Sequence, residues 1–164
     1  MSINKTSIYF TAILSALFLL FACDITSNKG SGLLNNNTLL LSITEQDGRA
    51  CLREDDIRGF GILDDDVISV ESRRRGEYYL LTTLYHCPSI QFSPKLAFSA
   101  SFNELCGGGG RASVISGDEI CPIRNIFKFE NRQQAFDAFA QVEEKRAQLK
   151  EEIAKEEIAK EEAK

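Results

Sequence analysis

The sequence predicts a small, mainly β domain, barrel-like or a sandwich of about five to seven short strands, stapled by two disulfides and followed by a long C-terminal α-helix. Three observations lead to this fold class. Short runs rich in β-branched and aromatic residues alternate with turn residues, four cysteines lie between residues 51 and 121, and the C-terminus repeats Glu-Glu-Ile-Ala-Lys. The 164 residues fit one domain with appendages, and a net charge of -5 gives no footprint for nucleic acid.

Residues 1–22 are predicted to be a lipoprotein signal peptide. Lys5 precedes an uncharged run of 15 residues, 8–22, which is shorter than the roughly 20 residues that a membrane-spanning helix needs. The following Leu20-Phe-Ala-Cys23 resembles the bacterial lipobox, in which the cysteine is acylated and becomes the first residue after cleavage. An ordinary signal peptide and an uncleaved anchor are the alternatives.

Residues 23–37 are predicted to be a flexible tether because they are mostly small and polar. Lipidation of Cys23, including a palmitate, would hold the protein in the bacterial cell envelope, facing the periplasm. Asp24 resembles the inner-membrane retention signal of some lipoproteins, which favours the inner over the outer membrane.

The five cysteines indicate a disulfide framework. If Cys23 carries lipid, the other four form an even set in an oxidising compartment. A zinc site is disfavoured because these four form no C-x-x-C pair and the one histidine, His86, is not at ligand spacing. Three connectivities are possible. The sequence favours Cys51–Cys121, which joins the two ends of the domain, and Cys87–Cys106, which closes the excursion between them.

The domain itself is predicted to span residues 38–130. Arg73-Arg-Arg-Gly76 is expected to form a hairpin loop between two of its strands, and residues 53–58 one helical turn. The predicted strands are residues 38–44, 59–63, 67–71, 77–84, 96–102, 112–115 and 122–129.

Residues 131–164 are predicted to be a charged helical tail. Near the domain, Ala135, Phe136, Phe139, Ala140 and Val142 recur at helical spacing and are expected to dock on the β domain. Further on, the repeat places glutamate four residues before lysine. Its five-residue period turns the helix by about 500°, so its isoleucines form no continuous stripe. A solvated helical spacer is therefore favoured over a coiled coil.

Three short motifs could bind a ligand, and each also has a structural interpretation. The glycine run 106–111 lacks the order of a phosphate loop and is predicted to be a mobile hairpin tip beside a disulfide. The acidic run 64–66 lacks the alternate spacing of a calcium loop and is predicted to be a solvated turn. Arg73, Arg74 and Arg75 form a charged loop tip that limits edge pairing, or a loop that contacts an anionic headgroup or glycan.

The sequence contains no recognisable catalytic set, and it predicts a protein that is not an enzyme and has no cofactor or metal site. A serine triad would need His86, which lies between Tyr85 and the predicted disulfide cysteine Cys87. A cysteine nucleophile would need a free thiol, and the cysteine count leaves none.

An ordered set of residues in this domain resembles a bacterial family numbered 6491 among the domains of unknown function, whose members are small exported proteins and lipoproteins. The resemblance covers about residues 48–130, is most specific in its cysteine spacing, and implies no activity or catalytic residue. The glycine run and the Glu/Lys tail look like additions to the family pattern. The matching residues are Cys51-Leu-Arg, Asp56-Ile-Arg-Gly-Phe60, Leu63-Asp-Asp65, Tyr78-Tyr-Leu80, Cys87-Pro-Ser-Ile90, Leu105-Cys106 and Cys121-Pro-Ile-Arg124.

The function expected from these observations is that of a lipid-anchored periplasmic protein acting by binding or by structural presence. Its partner would be an envelope protein or a glycan. One alternative is an inhibitor of an envelope-attacking hydrolase, comparable in design to small β-barrel lysozyme-inhibitor lipoproteins, with residues 73–75 plugging a cleft. Another is an enzyme with an unrecognised site.

Overall fold

The computed structural model describes residues 34–109 and 111–162. The predicted signal peptide, Cys23 and the tether up to residue 33 lie outside the described residues. The helices are α1 (Asn36–Thr44), α2 (Pro88–Phe92) and α3 (Arg132–Glu162), with short 3-10 turns at Glu54–Asp56 and Ser101–Asn103. The strands are β1 (Cys51–Arg53), β2 (Ile57–Asp64), β3 (Val67–Ser72), β4 (Tyr78–Thr83), β5 (Ala97–Ser99), β6 (Glu104–Cys106), β7 (Ser113–Ser116) and β8 (Glu119–Phe129).

Six antiparallel strands form one curled sheet, a half-barrel, in the order β2-β3-β4-β8-β7-β5, and β1 pairs with β6 in a second, smaller sheet. The predicted fold class is therefore confirmed, including the two disulfides and the long C-terminal helix. The predicted hairpin over Arg73–Gly76 is also confirmed, because β3 and β4 pair directly on either side of that loop.

The sheet is covered on both faces, which explains why its central strand shows no polar alternation. All six residues of β4 are buried. Tyr79 and Leu81 pack in one hydrophobic cluster, beneath α2 and the small sheet, whereas Tyr78 and Leu80 pack in the other, beneath α1 and α3. Strands buried on both faces read as continuous apolar runs, as β4 does.

The segment 38–44 is a helix, so the prediction of a first strand there is wrong. Asn35 caps α1, since its side-chain oxygen accepts a hydrogen bond from the Asn37 amide at 2.9 Å. Leu39 and Leu40 are buried against the sheet and α3. A short apolar run does not distinguish a buried strand from a buried helix, and the cap decided the outcome. The helix also overlaps the predicted end of the tether at residue 37.

The predicted cysteine pairing is wrong. The disulfides join Cys51 to Cys106 and Cys87 to Cys121. The first bond follows from the small sheet, whose register places Cys51 directly opposite Cys106. The second lies within the core, where both of its cysteines are fully buried. Both bonds join segments that are distant in the chain and meet only in the assembled fold, which cysteine spacing does not reveal.

The prediction of a hairpin tip at the glycine run after Cys106 is wrong, because the flanking strands do not pair with each other. β6 belongs to the small sheet and β7 to the six-stranded sheet. Gly107 donates its amide hydrogen to the Ala50 carbonyl at 3.0 Å. A Cβ atom on Gly107 would lie 2.5 Å from the Ile126 nitrogen and would collide with the Gly48 carbonyl. The glycine at position 107 therefore permits two backbone segments to cross in contact.

Helix α3 docks through its first half. Ala135, Phe139 and Val142 are buried as predicted, whereas Ala138 is buried where the sequence indicated Ala140, which is exposed. From residue 154 to residue 161 every described side chain is exposed. Within the described ranges, no helix is both long and apolar enough to cross a membrane.

Candidate functional site

Two adjoining grooves open where β2, the β3–β4 loop and the start of α3 meet. The first, which we call the arginine groove, has a volume of about 320 Å³, and the second, the glycine trough, about 330 Å³. They share Glu71, Tyr78 and Arg132, so they form one continuous depression. The charged residues that line the arginine groove are Arg58, Arg73, Arg74, Arg75, Arg132, Glu71, Glu77 and Glu130.

The β3–β4 loop is held in place by the 3-10 turn that precedes β2. The Arg73 amide donates to the Asp56 carbonyl at 2.7 Å, and the Arg74 side chain contacts the Asp56 carboxylate at 2.8 Å. Gly76 has a φ of +74°, a left-handed conformation that closes the loop. The loop is therefore anchored at its base while Arg73 and Arg75 remain exposed.

The arginine groove carries cationic groups without a carboxylate partner. Arg58 pairs with Glu71 at 3.3 Å and Arg74 with Asp56. Within residues 34–109 and 111–162, neither Arg73, Arg75 nor Arg132 forms a salt bridge. The Arg132 guanidinium instead lies 4.9 Å from the centre of the Phe136 ring. A locally positive surface thus lies on a chain whose net charge is -5.

The glycine trough is lined by fewer charged side chains than the arginine groove. Gly59 and Gly61 of β2 lack side chains, and Phe60, Tyr78 and Phe136 contribute aromatic surface to its lining. The rings of Tyr78 and Phe136 lie 6.2 Å apart, at 55° to each other. The combined depression can accommodate a ligand that has an anionic part beside an apolar or extended part.

Glu77, on the rim of the arginine groove, is a fixed anion. Its carboxylate accepts hydrogen bonds from Lys128 at 2.7 Å and from the Tyr79 hydroxyl at 2.9 Å. The bond from Lys128 is the main reason that the pKa of Glu77 lies below its ordinary value. Burial, followed by the bond to Glu77, raises the pKa of Tyr79. Both side chains are held in this hydrogen-bond network, so the structure gives neither of them a role as a general acid or base.

The acidic run 64–66 forms the turn between β2 and β3, as predicted, but it is not solvated as expected, because Asp66 is buried and Asp64 and Asp65 are half-buried. The Asn36 amide donates to Asp64 at 2.9 Å and to Asp66 at 2.5 Å. Arg146 of α3 contacts Asp64 at 2.9 Å. His86 contacts Asp65 at 2.7 Å. The side-chain oxygens of the three aspartates lie within 4.8 Å of one another, and each carboxylate has a protein partner. The run joins α1 and α3 to the sheet.

The two ends of this acidic run have opposite pKa shifts. Burial raises the pKa of Asp66 above its ordinary value, and the Asn36 hydrogen bond offsets only part of that effect. Burial also raises the pKa of Asp64, but hydrogen bonds from Asn36, Arg146 and the Asp65 amide outweigh it and leave that pKa lowered.

The predicted binding loop, Arg73 to Arg75, lies on the rim of the depression. The sequence did not identify Arg58 and Arg132 as neighbours of that loop. Arg58 lies in a strand and Arg132 begins a helix, and only the pairing of β2 with β3 and the placement of α3 bring them together. In the sequence, the one feature that marks Arg58 and Arg132 is a position next to turn residues. This feature is too common to identify a site.

Comparisons with known proteins place the chain in a family without assigning an activity. No curated protein and no solved structure matches it. The family described as "Family of unknown function (DUF6491)" matches residues 5–151. This range is wider than the 48–130 expected and extends into the tail as far as residue 151. Because this match covers most of the 164 residues, the chain belongs to the DUF6491 family.

Proposed function

We propose that this chain is a lipid-anchored binding protein of the bacterial cell envelope, facing the periplasm, and that its arginine groove receives an anionic group of an envelope protein or glycan. The observation that carries the proposal is the convergence of five arginines on one groove, three of them without a salt bridge in the described chain. Carboxylates and phosphates are the groups that the planar guanidinium recognises best.

Two features support the envelope location. The lipobox-like Leu20–Cys23 offers an acylation site, and two disulfides suit an oxidising compartment. Asp24 favours retention at the inner membrane. We expect Cys23→Ser to release the protein from the membrane fraction of cells. A variant that fractionates like the wild type would show that Cys23 is not the anchor.

The binding site is tested with a small polyanion and two matched charge reversals. Inorganic tripolyphosphate is titrated by calorimetry into the wild type, Arg75→Glu and Arg111→Glu. Both arginines are exposed, but Arg111 does not line the groove. We expect the Arg75 variant to bind at least about tenfold more weakly and the Arg111 variant to bind like the wild type, since a single charge-assisted hydrogen bond contributes about 1.5–3 kcal/mol. Equal binding by all three proteins would refute the groove as the site.

The β3–β4 loop also supports a second candidate function, inhibition of an envelope-attacking hydrolase. Its tip exposes Arg73 and Arg75 while Asp56 anchors its base, which is the arrangement of a loop that enters a cleft. Purified protein is assayed against a panel of lysozymes. Inhibition that Arg75→Glu abolishes and Arg111→Glu retains would favour this candidate, and a lack of inhibition across the panel would exclude it for those enzymes.

A further inference from the structure

We propose that the outer edge of β2 binds an extended acidic peptide by strand addition, so that the ligand of the arginine groove is a segment of another protein rather than a glycan or a free anion. This inference rests on the proposed function and deepens it by naming the class of partner. It follows from the exposed strand edge, the space beside it and the charge around it.

The edge of β2 is available for pairing. β2 is the first strand of the six-stranded sheet, and among the described residues only β3 pairs with it. No loop in the described chain forms a backbone hydrogen bond with residues 58–63. The register is regular over Gly59–Ile62 and shifts on either side, between Ile57 and Gly59 and between Ile62 and Asp64. The regular part therefore presents about four residues, roughly 13 Å, to an incoming strand.

The face of the sheet beside this edge is open at Gly59. A side chain added there would meet no atom within 4 Å. Glycine within a strand often marks a place where another backbone approaches closely. The glycine trough covers the adjoining face of β2, and Phe60 of β2 itself can contact a side chain of an added strand.

The charge around the edge specifies an acidic occupant. Arg58 belongs to β2 itself, and Arg73, Arg75 and Arg132 border the same depression. A second copy of this chain would suit the edge less well. If two β2 strands paired antiparallel, each would bring the end at Asp64 toward the Arg58 of the other. The Asp64 carboxylate is already engaged by Asn36 and Arg146, so it offers no free acid. An acidic peptide supplies carboxylates that are not committed elsewhere.

The experiment uses fluorescein-labelled peptides and purified full-length protein in detergent. The probe is a blocked pentapeptide, Glu-Val-Glu-Val-Glu. Its controls are the same peptide with lysine in place of glutamate, and two versions N-methylated at odd or at even positions. In an added strand only alternate amides face the sheet, so one methylation pattern removes the pairing bonds and the other leaves them intact. Binding is measured by fluorescence anisotropy, and amide protection by hydrogen exchange.

We expect the acidic peptide to bind and to protect those amides of residues 59–62 that face away from β3. One N-methylated version should bind at least about tenfold more weakly and the other nearly as well as the parent. The lysine peptide should not bind. Arg75→Glu should weaken binding at least about tenfold, whereas Arg111→Glu should leave it unchanged.

Four outcomes would overturn the inference, and they differ in what they say of the groove. Equal binding of both N-methylated peptides would show recognition by charge alone and would leave the arginine groove intact as the site. If the acidic peptide does not bind while tripolyphosphate binds normally, the strand addition is refuted and the arginine groove remains the site. If neither ligand binds, the proposed function is refuted as well. Protection of residues 59–62 without peptide, together with a dimer in light scattering, would identify a second copy as the occupant.

Discussion

Asp66 shows how a single residue can couple the N-terminal helix to the sheet. It is only 9% exposed, and its carboxylate accepts the Asn36 amide hydrogen. Its backbone carbonyl accepts the Thr83 amide hydrogen at 3.0 Å. A charged carboxylate in this position is disfavoured by burial and by the neighbouring Asp64 and Asp65. The native state therefore favours the protonated form of Asp66 more than the unfolded chain does.

This raised pKa predicts a pH-dependent stability that Asp66→Asn should remove. From the ordinary value of 3.8 up to the raised native pKa, the native state binds more protons than the unfolded state, so stability decreases as the pH rises through that window. We expect the melting temperature of the wild type minus that of the variant to be highest near pH 4 and to decrease toward neutral pH. Thermal melts of both proteins across this range measure it. A difference that does not vary with pH would contradict the prediction.

The environment of a single residue could be predicted from the sequence when the residues that it contacts lie nearby in the chain. Arg73 to Arg75 were identified as a loop because turn residues and two good strands flank them. Asp66 was misjudged as solvated because its partner, Asn36, lies 30 positions away. A sequence pattern reports the period of a strand or helix, whereas a buried hydrogen bond between distant segments depends on the assembled fold.

Among the elements, the hairpins were the most predictable and the crossovers the least. The β3–β4 and β7–β8 pairs join neighbours in the chain, and their strands follow the β-branched and aromatic pattern. The β1–β6 pair joins segments about 50 residues apart, and its three-residue strands are too short to show a period. The disulfide pairing was predicted incorrectly because it depends on that non-local pair.

The two disulfides should differ in their resistance to reduction because they lie in elements of different exposure. Cys51 is exposed and Cys106 half-buried in the small sheet, whereas Cys87 and Cys121 are fully buried. A thiol reductant must reach the sulfur atom that it attacks. We expect mild reductant to open Cys51–Cys106 at least about ten times faster, as measured by alkylation and peptide mass spectrometry. Simultaneous opening of both bonds would show that reduction requires global unfolding.

At the scale of the whole molecule, the first and the last helix of the described chain both contact the acidic run. Helix α1 reaches it through Asn36 and helix α3 through Arg146, and both helices cover the same face of the sheet. The sequence predicted the division into domain and tail but not this junction. The residues that pack in the core beneath these helices therefore run from Leu39 of α1 to Leu149 of α3.

This division predicts that the tail beyond the junction contributes little to stability. Leu149 is the last side chain that packs with the core beneath the helices, and the later Glu156–Lys160 pair, at 4.0 Å, is exposed. Such a pair contributes about 0.3–0.5 kcal/mol. We expect deletion of residues 150–164 to leave the melting temperature nearly unchanged while helical circular dichroism falls. Deletion of residues 146–164 removes Leu149 and the contact of Arg146 with Asp64 as well. It should cost about 1–3 kcal/mol, or several degrees. A large loss from the shorter deletion would show that the distal repeats pack on the domain or on a second copy.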